Sequence, residues 1–154
     1  MRVIGLGTDL VSVERIARMV REHGERFLER TYTVAERDEC VGKQREAQRL
    51  AARFAAKEAA MKALGTGLSR GINWRDFGIV TLPSGEPRLM VVGMASHIAA
   101  ERGVDQWMVS MSDTDEYATA TVIACGPELA AVRTVHEKAD ARSERVFPAR
   151  ATPA

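Results

Sequence analysis

The segment from residue 46 to residue 64, EAQRLAARFAAKEAAMKAL, constrains the fold of this chain more than any other stretch. It is rich in alanine and free of glycine and proline. Leu50, Phe54, Met61 and Leu64 recur at the spacing of one buried helix face, which predicts a helix over roughly 46–64 with Gly65 placed to end it. Such a helix is about 28 Å long, comparable to the diameter of a small domain. The remaining elements must therefore wrap around it. With 154 residues the chain is long enough for one domain with a real core and too short for two of ordinary size.

Residues 2–9, RVIGLGTD, mix β-branched and apolar residues with two glycines. That pattern predicts a strand whose backbone something else approaches closely, with Asp9 at its end. Ser12 can cap a helix running to about residue 23, with Val13, Ile16 and Val20 as its apolar stripe and Gly24 as its stop. A short helical turn is expected over Glu25 to Arg30. Thr33 and Glu36 have capping-box spacing and open a polar helix near 34–44. Beyond the long helix, Phe77–Leu82 and Arg88–Val92 read as strands joined by the turn at Pro83, Ser84 and Gly85. A helix near 94–102 follows, and then two further strands, Gln106–Met111 and Tyr117–Ala124, around the acidic segment Ser112 to Glu116. The fold class is α+β, a largely antiparallel sheet packed by helices. Residues 1–126 form the domain, and 127–154, a mixed-charge stretch ending in VFPARATPA, are expected to be a peripheral helix and a flexible tail.

Apolar residues make up 45% of the chain, and no run approaches the roughly 20 residues that cross a bilayer. The amino terminus lacks the apolar core and small-residue cleavage site of a secretory signal, so a cytoplasmic location is expected. A formal net charge of +1 gives no electrostatic reason to expect nucleic acid or membrane as a partner. Cys40 and Cys125 have neither metal-ligand nor disulfide-framework spacing, and both are expected to be reduced.

Several residues could do chemistry. Arg53 and Lys57, four apart, lie on one face of the long helix beside its apolar stripe. Either an anion binds between them or both side chains snorkel to water. Glu58 and Lys62 are also four apart. They can form a surface ion pair worth about 0.3–0.5 kcal/mol, or Glu58 can hold a metal while Lys62 meets a phosphate. Magnesium is commonly held by one or two carboxylates together with phosphate oxygens and waters, so Asp9 and Glu58 suffice if the fold joins them. Asp9 can equally be a turn or capping aspartate. Leu64-Gly-Thr-Gly67 lacks the spacing of a dinucleotide or P-loop fingerprint. The three histidines, His23, His97 and His136, support neither a zinc site nor a triad. Asp113, Asp115 and Glu116 form a carboxylate cluster that a solvated turn would also explain.

Taken together, three blocks resemble the holo-acyl-carrier-protein synthase family, the small 4'-phosphopantetheinyl transferases. They are IGLGTDLVSVERI at 4–16, ARFAAKEAAMKALGTG at 52–67 and VSMSDTDEYATATVIA at 109–124; with FGIVTLPSGEPRLMVVG between them, the likeness covers about residues 2–124. The resemblance implies transfer of 4'-phosphopantetheine from coenzyme A to a serine of an apo acyl carrier protein, releasing adenosine 3',5'-bisphosphate. It implies Mg²⁺ on Asp9 and Glu58, with Glu58 also helping to remove the serine proton and Lys62 neutralising or protonating the departing phosphate. Arg53, Lys57, Lys62, Gly65, Asp113 and Thr114 would contact coenzyme A, Gly65 by allowing a close backbone approach. Arg15, Met19, Arg26, Phe27 and Arg30 would dock the carrier, basic residues around apolar anchors facing an acidic partner. A homotrimer with sites between neighbouring subunits is implied as well.

The sequence departs from the family at one point. Where the family usually reads Ser-x-Ser-His-Thr, this chain has Ser110-Met-Ser-Asp113-Thr114. An aspartate brings negative charge where a phosphate is expected and cannot donate as an imidazolium does. Asp113 thus keeps open a second function class, a noncatalytic coenzyme A or carrier-protein binding module of the same fold.

Overall fold

The structure, a computed structural model, describes residues 1–128. Beyond Glu128, the expected peripheral helix and tail lie outside the described residues.

Strand β1 (Arg2–Ser12) runs three residues past its expected end. It pairs along its length with β5 (Tyr117–Gly126), from Arg2 opposite Gly126 to Ser12 opposite Tyr117. Asp9 is consequently held inside a ladder, opposite Ala120, and is not the turn residue at a strand end that its position suggested. Ser12 does cap α1 (Val13–Thr31), its hydroxyl accepting from the Arg15 N–H at 3.2 Å. Gly24, at φ 52° and ψ −135°, bends this helix instead of ending it, so the expected helix and the turn after it are one kinked element.

The capping box of Thr33 and Glu36 opens α2 (Val34–Cys40), which stops four residues earlier than expected because Val41 turns extended. Helix α3 (Glu46–Leu64) has the predicted bounds, with Gly65 closing it in the left-handed conformation at φ 68°. After a 3₁₀ turn (Trp74–Asp76), β2 (Phe77–Thr81) and β3 (Pro87–Val91) form an antiparallel hairpin. Helix α4 (Gly93–Glu101) leads to β4 (Gln106–Asp113), which pairs with β5. The main sheet is antiparallel in the order β1-β5-β4, and the β2-β3 hairpin forms a second sheet. The class is α+β with antiparallel sheets.

Helix α3 lies across one face of the three-stranded sheet, and the fit depends on small residues on both sides. A Cβ at Gly5 would run into the carbonyl of Ala63, and one at Gly7 into the carbonyl of Ala59 and the amide of Ala63. The strand backbone therefore rests directly on the helix backbone, which is the close approach that the two glycines predicted. Ala118, Ala120, Val122 and Ala124 continue the same small-residue bed on β5. Helices α1 and α2 and the β2-β3 hairpin pack on the other sides of α3, so it is buried almost all round and not only along Leu50, Phe54, Met61 and Leu64. Those four side chains each contribute roughly 1.5–3 kcal/mol on burial.

Candidate active site

Gly5, Gly7 and Asp9 alternate along β1 and so share the face turned to α3. The glycines bring the strand down onto Ala59 and Ala63, and Asp9, the next residue on that face, has its carboxylate at the flank of the helix. Lys62 meets it there. Its ammonium donates to Asp9 Oδ1 at 2.9 Å and to the Thr8 carbonyl at 2.9 Å. Glu58, one turn earlier on α3, is half-buried and forms no ion pair with Lys62 within 4.0 Å. Lys62 thus bridges helix to strand, and the ion pair along the helix surface is not formed.

Burial pushes the Glu58 carboxyl above its ordinary value, the charge of Asp9 adds to this, and Lys62 and Arg15 oppose it. The two carboxylates are close enough to repel in a partly desolvated place, an arrangement that favours a bound cation. Hard carboxylate oxygens on two rigid elements fit magnesium. Among the described residues no group of three or more His, Cys, Asp or Glu side chains could hold a metal, so an ion here would have two protein carboxylates and would need its other oxygens from water and phosphate.

Arg15 belongs to the predicted carrier-docking set, yet the structure brings its charge within reach of Glu58 as well. Its guanidinium lies 5.9 Å above the Phe54 ring, which stacks on Trp74 at 4.7 Å, and its charge reaches Glu58. Farther along α1, Met19, Arg26, Phe27 and Arg30 line one surface cavity of about 300 Å³. Four of the five predicted docking residues are therefore contiguous. His23 completes the lining. His23 is not among the predicted docking residues, although positions 19, 23, 26, 27 and 30 have the spacing of one helix face.

Two predicted coenzyme A residues are placed elsewhere. Lys57 is fully buried, with its ammonium 2.8 Å from Glu36 Oε2, 3.3 Å from the Trp74 carbonyl and hydrogen-bonded to the Phe77 carbonyl. All three of its donors are engaged, and it has no N–H for a phosphate. Arg53 donates to Glu39 Oε2 at 2.5 Å, to Thr81 Oγ1 at 3.2 Å and to the Arg49 carbonyl at 3.3 Å. The expected anion between the two cations is supplied by the chain itself, as two carboxylates of α2. Snorkelling to water is equally absent, because α3 presents no solvent face at these positions. Glu36 and Glu39 were not singled out in the sequence, and only the capping-box spacing of Glu36 drew notice.

Gly65 ends α3, and the group that approaches it closely is an arginine. A Cβ there would lie 2.9 Å from Arg102 Nη1, and that guanidinium donates to the Leu64 carbonyl. Asp113 is on β4, separated from β1 by β5, so the structure does not bring it into contact with Asp9. Its carboxylate accepts from Arg45 at 2.6 Å, and Asp115 lies 3.9 Å from the same arginine. Arg45 precedes α3 in the left-handed conformation, φ 57°, which is uncommon for a side-chain-bearing residue. Thr114 closes the β4-β5 turn, its hydroxyl accepting from the Tyr117 N–H at 3.1 Å.

A carboxylate pair on facing elements, with one lysine against Asp9, suits transfer of a phosphate-linked group. The sequence model of the 4'-phosphopantetheinyl transferase superfamily matches residues 5–122, spanning Asp9, Glu58, Lys62 and Asp113. The chain belongs to the 4'-phosphopantetheinyl transferase superfamily. It is an enzyme of the transferase class. A holo-[acyl-carrier-protein] synthase of Koribacter versatilis is 46% identical over 121 residues, covering 79% of this chain and 97% of that protein. The crystal structure of a holo-[acyl-carrier-protein] synthase from Neisseria meningitidis superposes with a TM-score of 0.74 at 35% identity, covering 80% of this chain and 99% of that one. A third likeness is the Helicobacter pylori holo-[acyl-carrier-protein] synthase in complex with coenzyme A, with a TM-score of 0.69 and 28% identity over 78% of this chain and 99% of that one.

Proposed function

We propose that this enzyme transfers 4'-phosphopantetheine from coenzyme A to a serine hydroxyl of an apo acyl carrier protein, in a magnesium-dependent reaction that releases adenosine 3',5'-bisphosphate. The observation that carries the reading is the juxtaposition of Asp9 and Glu58 with the Lys62 ammonium 2.9 Å from Asp9. The names of the Koribacter and Neisseria relatives support the carrier as acceptor, and the coenzyme A held by the Helicobacter protein supports the donor.

Asp9 and Glu58 would hold the metal, which when bound would polarise the pyrophosphate and offset the charge that gathers on its oxygens. Glu58 receives the serine proton, directly or through a water, as the serine oxygen forms its bond to the β-phosphorus. The bond from that phosphorus to the bridging oxygen breaks, and Lys62 neutralises or protonates the phosphate that leaves with the adenosine. Arg15, on the first turn of α1, adds positive charge beside Glu58 and stands at the near end of the carrier-docking face. Met19, Phe27, Arg26 and Arg30, around their cavity, give an acidic carrier both apolar anchors and cations.

The active form is a homotrimer. Across the uncovered face of the main sheet stand Leu6, Thr8 and Leu10 on β1, Thr119, Thr121 and Ile123 on β5, and Met108, Ser110 and Ser112 on β4, without one charged residue. Leu6 and Leu10 are 64% and 65% exposed in the single chain, an apolar surface that self-association would cover. Asp113 and Thr114 then meet coenzyme A bound at a neighbour's Asp9 and Glu58, which is consistent with their standing at the end of the opposite edge strand. No helix of the described residues is long and apolar enough to cross a membrane. The proposal keeps the enzyme in the cytoplasm, with neither membrane nor nucleic acid as partner.

Incubation with apo carrier proteins, coenzyme A and Mg²⁺, followed by mass spectrometry of the carrier, tests this reading. A phosphopantetheine adduct on the serine is expected. Binding of coenzyme A without an adduct across a panel of carriers would instead establish the noncatalytic binding module.

A further inference from the structure

Helix α2 presents two carboxylates, Glu36 and Glu39, one turn apart, and α3 presents two cations, Arg53 and Lys57, also one turn apart. They pair as Glu36 with Lys57 at 2.8 Å and Glu39 with Arg53 at 2.5 Å. The inner pair is built for precision. Glu36 and Lys57 are both fully buried, and each has its remaining hydrogen-bonding capacity taken by a different element. Glu36 accepts the Ile79 N–H of β2 at 2.9 Å and the Thr33 N–H at 2.8 Å, while Lys57 donates to the Trp74 and Phe77 carbonyls of the 3₁₀ turn and its exit. The Tyr32 ring stands 5.8 Å from the ammonium, and its hydroxyl donates to the Leu50 carbonyl of α3 at 3.0 Å.

Consecutive helical residues are turned about 100° from one another, so fixing the direction of Lys57 fixes that of Glu58. Lys62, four residues after Glu58, follows on the same face as Glu58. Against the sheet, α3 meets mostly alanine and glycine, which allow close contact but offer few side-chain knobs to resist rotation. The charged ties to α2 supply that resistance on the opposite side. A buried pair whose partners are both satisfied is strongly disrupted when one member is removed, whereas removing both charges together is much better tolerated.

We propose that Lys57 is a positioning residue of the transfer site: its buried tie to Glu36, supported by Arg53 and Glu39, sets the rotation of α3 that presents Glu58 and Lys62 to Asp9. The proposal rests on the transfer reading above and assigns Lys57 a role without contact to coenzyme A. It also makes Glu36, which cannot bind a phosphate, part of the same machinery.

The test compares Glu36→Gln, Lys57→Met and the double variant in the adduct assay, with crystals of Glu36→Gln as a readout that needs no activity. Each single variant is expected to lower kcat tenfold or more while KM for coenzyme A stays within about twofold, and the double variant is expected to recover most of the loss. In the Glu36→Gln crystals the contact of Lys62 with Asp9 is expected to open. A tenfold rise in KM for coenzyme A confined to Lys57→Met would overturn the proposal in favour of a phosphate ligand. A Glu36→Gln protein that is less stable yet keeps the wild-type kcat and the Lys62–Asp9 contact would overturn it in favour of a purely structural pair. Should Lys57→Met fail to fold, Glu36→Gln decides alone. Absence of any adduct from the wild-type enzyme would sink the transfer reading, while the crystal contact would still decide the positioning claim.

Discussion

Lys62 extends past Glu58, its neighbour one turn back on α3, to place its ammonium 2.9 Å from Asp9 Oδ1 on β1. One cation therefore stands against a carboxylate of another element, and Glu58 has no ion-pair partner among the described residues. Under the proposed transfer this asymmetry gives Lys62 a task in catalysis, and its part in folding is small because the pair is partly open to water. Replacing Lys62 with alanine is expected to change stability by less than about 1 kcal/mol. The same change is expected to slow adduct formation roughly 10²-fold. Thermal melts and initial rates measured on one preparation check both halves.

The contact of β1 with α3 sets where Asp9 stands. For Gly7→Ala a methyl group meets the Ala59 carbonyl and the Ala63 amide, and both belong to backbone that cannot rotate away. A loss of about 1–3 kcal/mol is expected in denaturant unfolding, as for other overpacked sites. Turnover is expected to fall further than stability alone accounts for, since the strand carrying Asp9 must lift from the helix carrying Glu58.

Cys40 provides a pH test of the α2 packing. Burial pushes its thiol up to about 11, with Glu36 and Glu39 adding to the effect against Arg53 and Arg49. A raised value means that the native state holds the thiol proton more tightly than the unfolded chain does. The associated stability is complete below the ordinary thiol value of 9.0 and is lost as pH rises through about 11. Thiol labelling of the native protein at pH 8 is expected to leave Cys40 unmodified until denaturant is added, and unfolding midpoints are expected to fall above pH 9. Rapid labelling of the folded protein would show that this packing is wrong.

The carrier-docking face is tested at a residue remote from the carboxylates. Arg26→Glu reverses a charge in the cavity lined by Met19, His23, Phe27 and Arg30. KM for the carrier is expected to rise about tenfold or more, with a weaker salt dependence, while KM for coenzyme A is unchanged. Equal effects on both substrates would show that the cavity is not the docking face.

Much of this architecture was legible in the sequence because its signals are local. The alanine-rich run and Gly65 bound α3, Thr33 and Glu36 open α2, Ser12 caps α1, and Gly5 with Gly7 mark the close approach of a backbone. The partners of charged residues were not legible, since they depend on contacts between distant segments. Lys57 could be placed beside an apolar stripe, but that this flank of α3 is sealed by Glu36 follows only from how α2 and β2 pack. The Glu58–Lys62 spacing left open a local ion pair or a metal ligand beside a phosphate contact, and that Asp9, 53 residues from Lys62, takes the lysine was not visible in it. Arg45 and Asp113 are 68 residues apart, and no pattern linked the basic residue before α3 to the acidic end of β4. The kink at Gly24 was half legible: a glycine marked the spot, and whether the helix stopped or bent there was decided by Leu28 and Thr31 packing into the core beyond it.

The central claim is that Glu58 acts with Asp9 on the reacting phosphate, and the rate of adduct formation by Glu58→Gln measures it most directly. The substitution keeps the side chain's size and removes its charge, so the fold is expected to persist, with an unchanged circular dichroism spectrum and a melting temperature no lower than that of the wild type. The rate at saturating coenzyme A and Mg²⁺ is expected to fall by at least about 10²-fold, as for loss of a metal ligand and proton acceptor together. A folded Glu58→Gln enzyme that modifies the carrier at near wild-type rate would contradict the account.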